Sequence, residues 1–191
     1  YITGNHDRPR FISLAGGALL PDEDWKKAGW NREIGVGKNE SYDYLSILHA
    51  FIFTIPGIPT VYYGDEFDDP GANDPDNRRW MRFDNYNEHE AKLLNNFVSL
   101  SKFRRSSIPL IYGDFIPLKA EEDILAYLRV YMGKIVLIAI NKSNDIKEVE
   151  IKIPFDFEGK KFQLQSGRIL SLDDYTITVE IEPRNFVLIN N

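Results

Sequence analysis

The chain has 191 residues, which allows one domain or two small ones with a substantial buried core. Hydrophobic residues make up 43% of it and charged residues 27%, a balance that excludes disordered and low-complexity proteins. The formal net charge of −6 disfavours nucleic acid as a partner, because nucleic acid is held by a broad positive field. With no cysteine, the chain has no disulfide, thiolate metal site or cysteine nucleophile.

The chain begins at Tyr1, and no charged segment followed by an apolar one comes after it, so we expect it to be part of a longer polypeptide. Residues 45–64 lack Asp, Glu, Lys and Arg over about the length of a membrane span. Pro56, Gly57 and Pro59 interrupt this stretch, so we predict a buried helix, then a buried strand, and no membrane span. No feature of the sequence indicates a compartment.

The first half of the chain predicts two helices with a strand between them. Apolar residues at helical spacing follow Ser41, which we assign as the N-cap, and a Pro-Gly pair closes that helix. The apolar, β-branched run 58–64 predicts a strand buried on both faces. Asn87 and Glu90 form a capping box for a second helix, which we expect to run to about Arg105.

The second half of the chain has the pattern of short strands. Two apolar runs flank Met132-Gly133, a hairpin signal, and two later runs alternate apolar and polar residues, which predicts one buried and one exposed face. With four further runs they predict about eight strands, enough for an antiparallel sandwich. The eight runs are 110–118, 124–131, 134–141, 149–153, 162–165, 168–172, 177–181 and 185–189.

Two regimes of structure therefore meet near residue 108. A strand ending near Gly4 would complete the order strand, helix, strand, helix, which amounts to two βα units. We expect an α/β domain over residues 1–108 and an antiparallel β-sandwich over residues 109–191.

Three polar clusters carry candidate chemistry. The first, Asn-His-Asp-Arg-Pro-Arg at 5–10, follows a predicted strand end, where ligand-handling loops gather in open sheets and barrels. Its imidazole, guanidiniums and carboxylate can hydrogen-bond several hydroxyls, and the carboxylate can stabilise a developing positive charge. The second, Asp65-Glu66, ends the predicted buried strand, and the third is the stretch 73–84. Taken alone, the first pattern also fits a capping aspartate with solvated histidine and arginine side chains around it.

In combination, these motifs resemble the α-amylase superfamily, glycoside hydrolase family 13. The matching stretches, in chain order, are NHDRPR, GIPTVYYGDE, DPDNRRWMRFD, FRR and LIYGDF. The first and third are similar to the neopullulanase, cyclomaltodextrinase and oligo-1,6-glucosidase branches. The resemblance implies an α/β plus all-β fold: the last two βα units of a (β/α)₈ barrel over residues 1–108, followed by the family's β-sandwich over residues 109–191.

The resemblance also implies a retaining glycoside hydrolase that cleaves α-1,4 or α-1,6 glucosidic bonds of α-glucans. Asp7 matches the family's third, transition-state-stabilising carboxylate, and His6 matches the neighbouring sugar-binding histidine. Arg78 matches a substrate-binding arginine, and Arg10 is a further candidate sugar contact. The family's nucleophile and general acid precede the part matched here, so the chain alone is expected to be inactive.

An α-glucan oligosaccharide is the expected partner, and open barrel edges would let the chain self-associate. The acidic run from Asp65 to Asp76 has the hard oxygens that Ca²⁺ prefers but not an EF-hand spacing. We therefore assign no metal residue and consider Ca²⁺ only as a ligand of the longer enzyme. The alternative function is a non-catalytic, barrel-like scaffold or a carbohydrate-binding β-sandwich module.

Overall fold

A computed structural model describes residues 1–155, 162–173 and 175–191. These residues form two compact units. The first unit comprises Tyr1–Ile52 and Ile58–Lys102, and the second comprises Phe53–Gly57 and Phe103–Asn191. The domain boundary expected after residue 108 stays a prediction, since a compact unit is not by itself an independently folding domain.

Five α-helices and one short 3₁₀ helix lie in the described residues. They are α1 (Phe11–Ala15), α2 (Trp25–Asn31), α3 (Glu40–Thr54), the 3₁₀ helix (Asp76–Arg78), α4 (Glu88–Ser106) and α5 (Ile108–Tyr112). None of the helices in the described ranges is both long and apolar enough to cross a membrane.

The two long helices confirm the sequence patterns, with one correction at a helix start. At α4, the Asn87 side chain accepts from the Glu90 N–H (3.0 Å) and the Glu90 carboxylate accepts from the Asn87 N–H (2.8 Å), which is the predicted capping box. The predicted N-cap of α3 is wrong. Ser41 lies inside that helix, and its hydroxyl donates to the Lys38 carbonyl at 2.6 Å.

The predicted strand over 58–64 is reduced to one isolated bridge. Ile2 and Thr60 pair in the parallel direction, and the Thr60 N–H donates to the Tyr1 carbonyl at 2.9 Å. A longer ladder needs a partner along the whole run, and Pro59 offers no N–H to one. The described residues therefore do not show a barrel strand here, and the (β/α)₈ barrel stays a prediction.

The second unit contains eight antiparallel strands in two sheets, which confirms the predicted sandwich strands. One sheet has the order β1-β2-β3-β8-β5 and the other has the order β4-β7-β6. The strands are β1 (Asp114–Ala120), β2 (Ile124–Tyr131), β3 (Lys134–Asn141), β4 (Lys147–Lys152), β5 (Gln163–Ser166), β6 (Arg168–Asp173), β7 (Thr176–Ile181) and β8 (Asn185–Asn190).

Alternation of apolar residues along the strands builds the core of the sandwich. Val149, Ile151, Val179 and their neighbours point inward from the three-stranded sheet and pack with inward residues of the other sheet. Met132 and Gly133 join β2 to β3, both with positive φ (46° and 76°), the conformation of a type I′ turn. The hairpin prediction is therefore confirmed.

The first predicted strand of the sandwich is partly wrong. The run 110–118 was expected to be extended, but its first three residues belong to α5, and β1 starts only at Asp114. Pro109 lies in the first turn of α5, where its missing N–H costs no helical hydrogen bond. The local helix preference of this turn overrides the β-like composition of Leu110–Tyr112.

Two buried arginines of the second unit satisfy the carbonyls at the end of α3. The Arg104 guanidinium, on α4, donates to the carbonyls of Phe53 (2.7 Å), Ile55 (3.2 Å) and Gly57. The last carbonyls of a helix have no helical partner and carry partial negative charge, so a cation there is stabilising.

Arg129, on β2, completes this arrangement and is only 1% exposed. Its guanidinium donates to the carbonyls of Thr54 (2.7 Å) and Gly113 (2.8 Å). The Thr54 and Tyr127 hydroxyls share a further hydrogen bond of 2.6 Å. The segment 53–57 is therefore held in the second unit by polar bonds to β2 and α4.

Arg129→Met should lower the free energy of unfolding of the second unit by about 2 kcal/mol or more, because two buried carbonyls lose their donors. Urea unfolding followed by amide hydrogen exchange in β2 and β3 would measure the loss. Arg105→Met is the matched control, since Arg105 is exposed on α4. Equal stabilities of the two variants would contradict the role given to Arg129.

Candidate functional site

The loop that carries the first polar cluster, residues 5–10, is held in place by hydrogen bonds from the side chain of Asn77. The side-chain amide of this buried residue donates to the carbonyls of Asn5 (3.2 Å) and Arg8 (2.7 Å). The Arg10 N–H donates to the Gly71 carbonyl at 2.9 Å. Residues 5–10 are thus fixed against the stretch that surrounds the 3₁₀ helix.

His6, Asp7 and Arg78 come together at the surface of the first unit, and we call them the surface triad. The His6 Nε2 atom lies 3.3 Å from an Asp7 oxygen, and the Arg78 guanidinium lies 3.8 Å from the other. Arg78 is oriented by the His6 carbonyl at 3.3 Å and by Asp74 at 2.9 Å. The Asp7 side chain is 70% exposed, so a ligand can reach its carboxylate.

Arg10 does not join the surface triad. It is 2% exposed, and its guanidinium donates to the carbonyl of Tyr63 (2.6 Å), the carbonyl of Asn77 (3.1 Å) and the carboxylate of Asp65 (2.9 Å). The guanidinium also lies 4.3 Å from the centre of the Tyr62 ring. A side chain with these contacts holds the loop from inside and does not offer its donors to a sugar.

A buried acidic cluster lies next to this anchor. Asp65, Asp68 and Asp69 are 1% to 4% exposed, and the Oδ2 atom of each has no hydrogen-bond partner among the described residues. Arg82 bridges Asp69 at 2.8 Å and Glu90 at 2.7 Å. Burial and the neighbouring carboxylates raise the pKa of Asp68 to about 9.

The turn that builds the acidic cluster depends on one glycine. Gly64 has φ of 90°, and its carbonyl accepts from the N–H groups of Asp68 (2.7 Å) and Asp69 (2.9 Å).

Despite the three aspartates, no group of three or more His, Asp and Glu side chains in the described part of the chain could hold a metal ion.

Large aromatic side chains flank the surface triad in sequence and reach solvent. Trp80 is 95% exposed and Phe83 is 81% exposed. The resemblance implies a proline and a tryptophan at these two positions, and this chain departs from that pattern. The Tyr63 hydroxyl donates to the Arg79 carbonyl at 3.0 Å, and this hydrogen bond fixes the start of the loop that follows Arg78.

Comparisons with known proteins agree with the motifs. No protein-family model matches the chain. A cyclomaltodextrinase of Geobacillus thermopakistaniensis is 30% identical over 190 residues, which cover 98% of this chain and 28% of that protein. A cyclomaltodextrinase of Thermoanaerobacter pseudethanolicus is 29% identical over 177 residues, which cover 90% of this chain and 26% of that protein. This chain therefore spans about a quarter of the length of either relative.

Solved structures match over nearly the whole chain. An α-amylase of Anoxybacillus aligns with a TM-score of 0.71 at 25% identity, covering 99% of this chain and 37% of that one. An α-amylase of Geobacillus thermoleovorans, solved with acarbose, aligns with a TM-score of 0.68 at 25% identity, covering 99% and 38%. The chain belongs to the α-amylase superfamily. The resemblance carried by its sequence motifs is confirmed.

Within this member of the α-amylase superfamily, the sequence analysis identified the residues of the surface triad but not the residues that support them. The roles of Asn77 and Asp74 were missed, although both lie in the third matching stretch. Nothing in that stretch marks Asn77 as buried, because an amide between charged residues usually predicts a solvated loop. Only the spacing to the first cluster could have suggested that the two stretches meet.

Arg10→Met should open the loop at 5–10, because the charge of Asp65 and two carbonyls would be left buried without a donor. We expect a loss of about 3 to 5 kcal/mol in the opening free energy of this loop. Hydrogen exchange at the Arg10 and Asp7 amides would measure it. Arg8→Met, at an exposed arginine of the same loop, is the control, and equal protection in both variants would refute the anchor role.

Asp68→Asn should make stability less dependent on pH. The folded chain keeps a proton on Asp68 up to about pH 9, whereas the unfolded chain loses it near 3.8. Its contribution to stability is therefore complete below about pH 4 and is lost as the pH rises towards 9. Asparagine mimics the protonated carboxyl and tolerates the φ of 89° at this position.

We expect Asp68→Asn to melt at a higher temperature than the unaltered chain above neutral pH, and the two to converge in acid. Melting temperatures across the range from pH 4 to pH 9 would show this. Asp22→Asn, at an exposed aspartate, should leave the pH profile unchanged. Parallel profiles for all three proteins would show that Asp68 is ionised when folded.

Proposed function

We propose that this chain is the carboxyl-terminal part of a retaining, α-glucan-active glycoside hydrolase. Its relatives include cyclomaltodextrinases, an amylopullulanase and a maltogenic α-amylase, and the family assignment supports the same general chemistry. In that reaction a carboxylate attacks the anomeric carbon, a carboxylic acid protonates the leaving oxygen, and water then hydrolyses the glycosyl-enzyme. We place the nucleophile and the acid outside residues 1–191.

Asp7 is the residue of this chain that we propose to be catalytic. Its carboxylate would accept hydrogen bonds from sugar hydroxyls and stabilise the positive charge that develops on the ring in the transition state. The observation that carries this proposal is the surface triad. Two segments far apart in sequence bring an imidazole and a guanidinium to an exposed carboxylate, and the guanidinium is held by the His6 carbonyl.

His6 and Arg78 are proposed substrate contacts. Each has N–H donors beside the Asp7 carboxylate, so a sugar that bonds to Asp7 through one hydroxyl can accept from them through another. The role expected for Arg10 changes. Its buried contacts support a positioning role, in which it acts on the substrate only through the loop that carries Asp7.

The same proposal gives residues 1–108 the place of the last two βα units of a (β/α)₈ barrel. The parallel bridge between Ile2 and Thr60, with α3 between the two segments, supports it. Ile2 is 51% exposed and Ile58 is 81% exposed. Further barrel strands would cover these side chains, and a second copy of the chain could cover them when those strands are missing.

Asp7→Asn in the longer enzyme should reduce the release of reducing sugar from maltooligosaccharide, pullulan or cyclodextrin by about a hundredfold or more. The melting temperature should stay nearly constant, because the side chain is exposed and makes no buried contact. Asp22→Asn is the matched control at another exposed aspartate. Turnover close to that of the control would refute the catalytic role of Asp7.

Two further outcomes bear on the proposal. Residues 1–191 alone should release no reducing sugar, and activity of this chain by itself would show that its own carboxylates suffice. A longer protein that binds α-glucan but never cleaves it would favour the scaffold function.

A further inference from the structure

A polar cleft lies in the second unit, at one end of the five-stranded sheet. It has a volume of about 280 Å³ and is bounded by β3, β5 and β8 together with the end of α4 and the start of α5. This volume is close to the lower limit of ordinary ligand pockets, about 300 Å³. The cleft shares no residue with the surface triad of the first unit.

Amide side chains dominate the wall of the cleft formed by the strands. Gln163 pairs with Asn190 across the β5–β8 ladder, and the Gln165 amide donates to the Asn190 side chain at 2.9 Å. The side chain of Asn191 is anchored, because its oxygen accepts from the Ile135 N–H at 2.7 Å. Gln163 is exposed and its amide makes no hydrogen bond within the described ranges.

The other lining groups indicate a neutral ligand with apolar patches. Lys134 has the one charged side chain among the described residues that line the cleft, and no Asp or Glu is among them. The lining also includes Ser106 and Ser107, together with the apolar residues Phe103 and Pro109. The exposed Gln163 amide offers a donor and an acceptor side by side, which matches the spacing of neighbouring hydroxyls on a sugar ring. The Asn191 amide is already bonded to the Ile135 N–H and the Gly133 carbonyl, so it serves the wall and not the ligand.

We propose that this cleft binds a neutral oligosaccharide, with Gln163 and Asn190 as the principal hydrogen-bonding residues. That the oligosaccharide is an α-glucan rests on the function proposed above. The sandwich would then hold the polymer that the longer enzyme cleaves, and a second attachment point raises the local concentration of a long substrate. Short oligosaccharides, which cannot occupy two places at once, would gain nothing from it.

Calorimetric titration of the whole chain with maltohexaose tests the proposal. We expect saturable binding at millimolar sugar, and at least tenfold weaker binding for Gln163→Met combined with Asn190→Ala. Gln163→Met alone keeps the length of an exposed side chain and removes both polar atoms, so it reports on binding even if the double variant folds poorly. Ser171→Ala, on β6, is the control for a polar residue outside the cleft.

Asp22→Asn, at an exposed aspartate outside both the cleft and the surface triad, should leave this binding unchanged. The cleft variants and Asp7→Asn together show at which of the two places the sugar binds. The inference is overturned if maltohexaose does not bind, or if binding is lost in Asp7→Asn and kept in the cleft variants. Inorganic phosphate that binds instead, and is lost in Lys134→Met, would show an anion site. Cellohexaose of equal affinity would overturn the α-glucan assignment.

The two proposals fail separately. If the longer enzyme cleaves α-glucans through Asp7 while the cleft binds no saccharide, only the cleft inference falls. If the cleft binds maltohexaose while Asp7→Asn keeps full turnover, only the function proposed for the surface triad falls.

Discussion

The buried guanidinium of Arg10 is the contact on which the candidate site depends. It lies among groups that are far apart in sequence, the carbonyls of Tyr63 and Asn77 and the carboxylate of Asp65. A cation removed from water is costly unless several acceptors surround it, so each of these groups must stay in place for the others to be satisfied. The loop that presents Asp7 begins a few residues before Arg10, so the contacts of Arg10 also fix the position of this loop.

The second unit uses the same physical device for a different purpose. Arg104 and Arg129 are also buried, but they donate to backbone carbonyls rather than to carboxylates. Carbonyls at the end of α3 lack helical donors, and planar guanidiniums can serve several of them at once. In both units, arginine therefore closes gaps in backbone hydrogen bonding where chain segments leave regular structure.

Local patterns were sufficient wherever neighbours in sequence decide the structure. The capping box at Asn87, the turn at Met132-Gly133 and the alternation that includes Val149 were all predicted, because each needs only residues a few positions apart. The strand expected at 58–64 depends on partners along its whole length, and it appears as a single bridge. Leu110 was also expected in a strand but lies in a helical turn, and here the cause is local, because the nearby proline favours a helix start.

The sequence by itself determined the superfamily and the residue types of the surface triad, since both are written in short motifs. It could not separate Arg78, which reaches the surface beside Asp7, from Arg10, which is buried. The same holds for Gln163 and Asn190, which share a cleft only because β5 and β8 are neighbours. Burial and pairing depend on which distant acceptors surround a side chain, and only the tertiary structure brings those acceptors together.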